Sequence, residues 1–320
     1  MSNIHILSKN LGYRNYFQRI PGVAMMLMVG IFFFGILSKD FLSVSNLTNI
    51  GLQSSILLLI SLPMTLVIMT EGIDMSIGAL LTFCGVVMAY TLSVTHSLPI
   101  AICLAMCSGL LVGLINGSII VYWKLPPFVV TLGTLGICQS LALVVTDGQS
   151  ITDVGEIVQL AYNGKVGGVA IPLIFSVIAY FITYFLLYQT RFGIYVCAIG
   201  GNRESLNLAG VRTNFYHLAV YAFSGLMAGV ASILLTARMS AGHPTAAIGM
   251  EFDAIAAVVV GGTSFEKGNG WLLGTLLGVL TVGVLRNGLN LLGVPSSVQV
   301  ASIGLLVLVA LLIDSMKMKS

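Results

Sequence analysis

Charged residues are what this sequence has least of. Aspartate, glutamate, lysine and arginine together make up 8% of its 320 residues, whereas 57% are hydrophobic. A soluble domain carries about 25% charged residues, so this chain could not cover the surface of a water-soluble fold. At roughly 20 apolar residues for each membrane-crossing helix, the apolar sequence is enough for about ten passes. The composition therefore predicts an all-α membrane protein with about ten transmembrane helices.

Sequence motifs for chemistry are also missing. The chain has no phosphate-binding P-loop, no HExxH and no GxSxG pattern. Its cysteines form no CxxC pair, and its histidines are far apart and near predicted surfaces, at His5, His96, His217 and His243. We therefore expect no catalytic residue, no metal site and no cofactor on this chain. The net charge of +3 is small and scattered, which argues against a nucleic-acid partner.

Apolar runs separated by polar residues, proline or glycine predict the helices. The first run is longer than a signal-peptide core and has no small-residue cleavage site, so we expect it to be retained behind a cytoplasmic segment at residues 1–19. The whole chain, 1–320, is expected to form a single transmembrane domain. The predicted helices lie at residues 20–37, 49–70, 75–95, 98–121, 127–146, 169–188, 214–237, 252–264, 270–287 and 296–313.

The distribution of basic residues predicts the orientation. With the N-terminus inside, ten of the 14 lysines and arginines fall in cytoplasmic segments, whereas four fall outside, at Lys39, Lys165, Arg238 and Arg286. Lysine and arginine are enriched in cytoplasmic loops. We therefore expect both termini in the cytoplasm.

A loose internal repeat relates the second to fifth predicted helices to the seventh to tenth. An Asn-Gly pair followed by a proline occurs at Asn116 and again at Asn287, with Asp74 and Asp253 upstream at the start of a helix in each copy. A shift of five spans is odd, so the copies must have opposite orientations in the membrane. Inverted repeats are a recurrent way to build transporters, because each half can close one side of one pathway.

The longest predicted cytoplasmic connection runs over residues 189–214 and contains a short helix. Asn202 is suited to cap this helix, Glu204 lies in its first turn where the helix dipole favours a negative charge, and Gly210 suits the left-handed position after its end. A plain connector is usually shorter. The segment is either a connector or a docking site for another chain.

Polar residues within the apolar runs are candidates for a solute pathway. Carboxylates at membrane depth are costly and usually face a protein interior or a water-filled cavity, although Asp74 would serve equally well as a helix cap. Asparagine and threonine suit a neutral, polyhydroxylated solute, yet they also join neighbouring helices. The candidate pathway or gating residues are Asp74, Asn116, Thr131, Asp253, Asn287 and Asn290.

Five motifs along nearly the whole chain resemble the permease subunits of ribose-type sugar ABC importers. They are Glu71–Gly78, Lys124–Leu135, the loop Gly200–Arg212, Glu251–Thr263 and Asn287–Gly293. The chain departs from the family pattern at Glu71, where the family usually has glycine, at Arg286, where it often has asparagine, and in the charged stretch 265–267.

The resemblance implies a ten-helix permease of the bacterial inner membrane, surrounded by lipid and paired with a second permease copy. It also implies a periplasmic sugar-binding protein and a cytoplasmic ATP-binding subunit that holds ATP and magnesium. The helix at about Arg203 to Ala209 then corresponds to the coupling helix. The residues expected to couple to the ATPase are Gly200, Asn202, Arg203, Glu204, Ala209 and Gly210.

Three alternatives remain at this point. A related permease group imports the autoinducer-2 signal, and residues 124–135 are equally similar to it. A secondary transporter that works without partners would need buried titratable groups within its helices, and the sequence offers few besides Asp74 and Asp253. A membrane-embedded enzyme would need clustered histidine or carboxylate residues near one surface.

Overall fold

A computed structural model describes residues 20–152, 154–264 and 268–319, so the predicted segment 1–19 and the charged stretch 265–267 lie outside the described residues. The described chain is almost entirely helical. Its elements are α1 (Ile20–Leu37), α2 (Val44–Met69), α3 (Ile77–Thr95), α4 (Leu98–Tyr122), α5 (Pro127–Thr146), α6 (Glu156–Asn163), β1 (Lys165–Val166), β2 (Val169–Ala170), α7 (Ile171–Gln189), α8 (Arg191–Leu208), α9 (Thr213–Met239), α10 (Met250–Val260), α11 (Leu272–Leu291) and α12 (Ser296–Lys319).

Within the described residues, seven helices are long and apolar enough to cross a membrane: α2, α3, α4, α5, α7, α9 and α11. The apolar stretches Gly22–Leu37 of α1 and Ser296–Val309 of α12 are shorter. The short predicted helix at 252–264 is found as α10, with 11 residues. An all-α membrane protein is therefore confirmed, and each predicted apolar run contains a helix.

Helix α2 forms the centre of the bundle. Of its most apolar 18-residue window, 89% is buried inside the protein, compared with 22% for α4 and α5. The outward faces of the peripheral helices are apolar, and Phe32 of α1, for example, is 71% exposed. Large exposed apolar side chains on membrane helices suit contact with lipid tails, which are themselves apolar.

Glycines allow α4 and α9 to pack with their backbones in contact. A Cβ atom on Gly109 or Gly113 of α4 would overlap the backbone carbonyls of Gly225 and Tyr221 of α9. The four-residue spacing of small residues in α4 therefore marks a helix-packing face. This close approach brings the middle of α9 against the start of α3, where the first polar cluster lies.

The two ends of the bundle carry different connections. At one end, α6 and the antiparallel β1–β2 hairpin lead from α5 to α7, and Ile151 pairs with Gly242 in an isolated bridge. At the other end, α8 leads to α9. Helix α8 is kinked at Asn202, whose non-helical backbone (φ −164°, ψ 95°) separates residues 203–208 as a helical turn of their own.

Candidate functional site

Asp74 lies in the break between α2 and α3 and is only 2% exposed. Its Oδ1 atom accepts hydrogen bonds from the Ser76 amide (3.0 Å) and the Ser76 hydroxyl (2.6 Å). Its Oδ2 atom accepts from the Ser224 hydroxyl of α9 at 2.7 Å. Asp74 therefore caps the turn that leads into α3 and also joins that turn to α9.

Helices α4 and α5 extend the same network. Asn116 of α4 donates through Nδ2 to the Ser76 hydroxyl at 3.0 Å, and its Oδ1 accepts from the Thr134 hydroxyl at 2.6 Å. Thr131 of α5 accepts from the Met75 amide at 3.1 Å. The structure thus brings three of the predicted pathway residues, Asp74, Asn116 and Thr131, into one buried cluster. We name the six residues Asp74, Ser76, Asn116, Thr131, Thr134 and Ser224 the Asp74 cluster.

Two polar residues of α9 lie beside the Asp74 cluster without hydrogen-bond partners among the described residues. They are His217, through both ring nitrogens, and Tyr221, through its hydroxyl. Their rings are 5.6 Å apart. His217 lies in the first turns of α9, near the end of the bundle, but its side chain is only 3% exposed. His217, Tyr221 and Ser224 are three or four residues apart and so lie on one face of α9. This spacing is the sequence feature that could have identified them as a group.

A second buried carboxylate cluster lies at the start of α10. Asp253 is 4% exposed and pairs with Arg286 of α11, whose Nη2 is 2.8 Å from Oδ2 and 3.0 Å from Oδ1. Glu251 is 5% exposed; its Oε1 accepts from the Gly249 amide at 3.2 Å, and its Oε2 has no partner among the described residues. We name Glu251, Asp253 and Arg286 the Asp253 cluster. Sequence reasoning found Asp253 but not its pairing with Arg286.

The other two predicted pathway residues do not join either cluster. Asn287 forms a reciprocal pair of 2.9 Å hydrogen bonds with Asn46 of α2. Asn46 also donates to the Phe41 carbonyl at 2.9 Å, so this pair fixes the start of α2 against α11. Asn290 is exposed near the end of α11. The six predicted residues are therefore distributed over four places in the fold.

The α8–α9 segment, residues 200–212, has the local geometry that its sequence predicted. Asn202 accepts from the Ser205 amide at 2.9 Å, which caps the turn, and Gly210 has a left-handed backbone with φ of 78°. Gly200 is buried so closely against the Met69 carbonyl that no side chain fits there. The turn ends at Leu208, with Ala209 as its cap.

The side chains of the α8–α9 segment point in two directions. Glu204 is exposed, and so is Leu208, an apolar residue that is 86% exposed and that sequence reasoning missed. Arg203 instead turns back towards the bundle and donates to Asn214 at 3.0 Å. An apolar side chain this exposed, beside a charged one and outside the long apolar helices, suits contact with another protein.

A bundle of long apolar helices, with polar clusters buried at its helix breaks, defines a polytopic membrane protein of the transport class. A family model described as the permease component of branched-chain amino acid transport systems matches residues 46–313. The chain belongs to this family of permeases. Among the described residues, no group of three or more histidine, cysteine or carboxylate side chains could hold a metal ion.

Sugar importers are among the relatives. The chain is 36% identical to the ribose import permease protein RbsC of Haemophilus influenzae over 297 residues, covering 92% of this chain and 91% of the relative. It is 38% identical to RbsC of Bacillus subtilis over 311 residues (97% and 96%) and 36% identical to the D-allose transport system permease protein AlsC of Escherichia coli over 298 residues (92% and 90%). No solved structure matches the chain.

These relatives confirm the resemblance to ribose-type importer permeases. The chain is a multi-pass protein of the inner membrane and a permease subunit of an ABC importer. The family membership supports the assignment as a permease subunit, and the family together with the apolar helices supports the assignment to the membrane.

Proposed function

We propose that this chain translocates a ribose-like monosaccharide across the inner membrane, driven by ATP that a separate subunit hydrolyses. The observation that carries the proposal is the similarity to ribose and D-allose permeases over more than nine-tenths of the chain. ATP and magnesium belong to the partner subunit in this proposal, and this chain supplies no catalytic residue and no cofactor site.

The proposed assembly contains two permease copies, a cytoplasmic ATP-binding subunit and a periplasmic sugar-binding protein. In each permease, ten helices cross the membrane with both termini inside, and α2–α5 and α9–α12 form the two halves of an inverted repeat. The similar positions of two buried aspartates support the repeat, because Asp74 precedes α3 and Asp253 lies in the first turn of α10. Each half then contributes one helix break to a shared pathway.

The α8–α9 segment is the proposed coupling element. Its capped turn holds Glu204 and Leu208 outward, where a groove of the ATPase would receive them. Gly200, Asn202, Ala209 and Gly210 shape the segment, and Arg203 faces the bundle rather than the ATPase. Closure of the ATPase would thereby move the ends of α8 and α9.

The polar clusters have different proposed roles. The Asp74 cluster has hydrogen bonds that connect α3, α4, α5 and α9, so it acts as a latch between these helices. Arg286 is partly exposed and Asn290 is exposed on α11, and these are the residues we expect to meet the solute. Asn287 holds α11 in place through Asn46.

The coupling role is tested with Leu208→Asn in the assembled importer. We expect uptake of radiolabelled ribose to fall at least tenfold and co-purification of the ATPase to weaken, because a central apolar contact at an interface contributes about 2 kcal/mol or more. Ile157→Asn is the matched control, since Ile157 is also an exposed apolar residue but lies in α6 at the other end. Equal uptake by the Leu208 variant and the wild type would contradict the docking role.

The substrate class is tested by uptake of D-ribose, D-allose, L-arabinose and leucine in vesicles that contain the complete importer. We expect uptake of at least one pentose or hexose and none of leucine. Leucine uptake with no sugar uptake would overturn the sugar assignment and leave the family membership intact. Sugar uptake that survives removal of the ATP-binding subunit would instead support a secondary transporter.

A further inference from the structure

A cavity of about 630 Å³ opens beside the α8–α9 segment, between the ends of α4 and α8 and the starts of α5 and α9. Its polar lining consists of Lys124, Arg203, Asn207, Asn214 and His217. Among the described residues that line it there is no aspartate or glutamate, and neither cation forms a salt bridge within the described chain. The cavity is therefore electropositive, and none of the described residues that line it supplies an anion.

The two asparagines present donors to this cavity. Asn214 accepts from Arg203 through Oδ1, and Asn207 accepts from the Thr213 hydroxyl through its Oδ1 at 2.5 Å. Each amide oxygen already accepts one hydrogen bond within the chain, and each amide nitrogen can donate to a ligand. Two cations and two amide groups with N–H donors match the acceptor-only chemistry of a phosphate group.

His217 gives independent support for a missing acceptor. Its ring lines the cavity and is 3% exposed, yet neither ring nitrogen has a hydrogen-bond partner among the described residues. A neutral imidazole always carries one N–H donor, and buried donors in proteins almost always have an acceptor. An anion bound in this cavity would supply the acceptor that the described residues do not.

The level of the cavity in the membrane is given by the residues at the end of α4. Tyr122 and Trp123 are 67% and 68% exposed and immediately precede Lys124. Tyrosine and tryptophan concentrate at the level of the lipid headgroups, and lysine extends there from the membrane edge. Leu125 and Phe128 are each 46% exposed beside the opening, where they offer an apolar surface to acyl chains.

The backbone at Lys124 is unusual. Its φ is 53°, a left-handed conformation that a lysine adopts at a cost. Backbone strain of this kind persists where the surrounding structure enforces it, and it is concentrated at ligand sites and switches. Here it directs the chain from the end of α4 into Pro126 and Pro127, and Lys124 takes its place on the cavity wall.

We propose that this cavity binds the phosphate group of an anionic phospholipid. Lys124 and Arg203 neutralise the phosphate, Asn207, Asn214 and His217 donate to it, and the acyl chains lie along Leu125 and Phe128. The lipid joins α4 and α9 to the turn at residues 203–208 and so stabilises the position of the α8–α9 segment. A soluble phosphate ester has the same headgroup chemistry, but the aromatic residues and the apolar rim favour the lipid.

The test is native mass spectrometry of the full-length protein released from nanodiscs that contain equal amounts of phosphatidylglycerol and phosphatidylcholine. We expect the wild type to retain phosphatidylglycerol in preference. Each of Lys124→Gln and Arg203→Gln should lower that preference about fivefold, because a basic residue near the membrane surface contributes about 1 kcal/mol to anionic-lipid binding. Arg191→Gln is the matched control, an exposed arginine at the start of α8 that does not line the cavity, and it should retain the wild-type preference.

Two further measurements keep the proposal falsifiable. Competition between the two lipids on the wild-type protein needs no variant, and equal retention of both would overturn the proposal. Inorganic phosphate and glycerol 3-phosphate are the soluble probes. If they bind with the same dependence on Lys124 and Arg203 while phosphatidylglycerol does not, the lipid assignment is wrong. Loss of preference in Arg191→Gln equal to that in Arg203→Gln would show only diffuse attraction to the membrane and would also overturn the proposal.

Discussion

The two buried aspartates occupy similar positions at helix starts but are stabilised in opposite ways. Asp74 accepts three hydrogen bonds from Ser76 and Ser224 and has no cationic partner among the described residues. Asp253 pairs with Arg286, whose side chain is 36% exposed. A carboxylate enclosed by hydroxyl and amide donors joins helices rigidly, whereas an ion pair with one exposed partner can exchange that partner with water or a solute.

The backbones that lead into the two helices differ as well. Before α3, Glu71 has a φ of 60°, which is left-handed and unfavourable for a residue with a side chain. At the start of α10, the N-cap residue Gly249 has a φ of 87°, which glycine adopts without strain. Glycine, which the resemblance to the importer permeases implied at position 71, would adopt this backbone without strain.

Removal of the Asp74 carboxylate should give the largest effect. Asp74→Ala leaves the Ser224 hydroxyl and the Ser76 amide unpaired in a buried region, and each buried donor left without a partner costs about 1–3 kcal/mol. We expect destabilisation of about 4 kcal/mol, seen as a large fall in the melting temperature of the purified protein. Asp40→Ala is the control, because Asp40 is an exposed acid. An unchanged melting temperature in Asp74→Ala would contradict the latch role.

Removal of Arg286 should give an intermediate effect. Arg286→Ala leaves Asp253 unpaired, but solvent reaches the arginine side chain, so we discount the penalty of a fully buried pair to about 1–2 kcal/mol. The double variant Asp253→Asn with Arg286→Asn should recover most of the loss. If the double variant loses as much stability as the two single variants lose when their losses are added, the ion pair is not what stabilises this cluster.

The ion pair also predicts a difference in salt dependence between the two clusters. Salt screens partly exposed charges much more than buried ones. The stability difference between wild type and Arg286→Ala should therefore shrink from low to high salt, whereas the difference for Asp74→Ala should stay constant. Parallel shrinkage of both differences would remove the distinction between the clusters.

Relief of the strained backbone should give the smallest effect, and in the opposite direction. Glu71→Gly is expected to stabilise the protein by about 1 kcal/mol, because a left-handed backbone costs an L-residue about 1–2 kcal/mol and glycine very little. The control is Glu71→Ala, which removes the charge but keeps the Cβ atom and should not stabilise. Stabilisation by alanine equal to that by glycine would assign the effect to charge instead of backbone.

Local features could be predicted because each depends on neighbours in sequence. Hydropathy places the helices, since every helix must be apolar over its own length in lipid. The cap at Asn202 and the left-handed Gly210 were likewise found as expected, because capping involves residues only a few positions apart. The four-residue spacing of Gly109 and Gly113 is typical of a close-packing helix face, but it does not identify α9 as the partner.

Distant pairings could not be predicted. Asp74 and Ser224 are 150 positions apart, and Asn46 and Asn287 are 241 apart. No periodicity within one helix reports which face of another helix it meets. The burial of His217 has the same origin, because its place near a helix end follows from the sequence, whereas the residues of α4 and the α8–α9 segment that surround it do not.

The sequence by itself determined that the protein lies in a lipid bilayer, where its helices are and how they are capped. These features follow from the length of the apolar runs and from contacts within a few residues. The tertiary structure decided which polar groups are satisfied. It gave Asp74 its donors and Asp253 its arginine, and it left His217 beside two cations without an acceptor among the described residues. The physical reason is that a buried polar group is stabilised only by the partner that packing brings within hydrogen-bond distance, and packing is a property of the whole bundle.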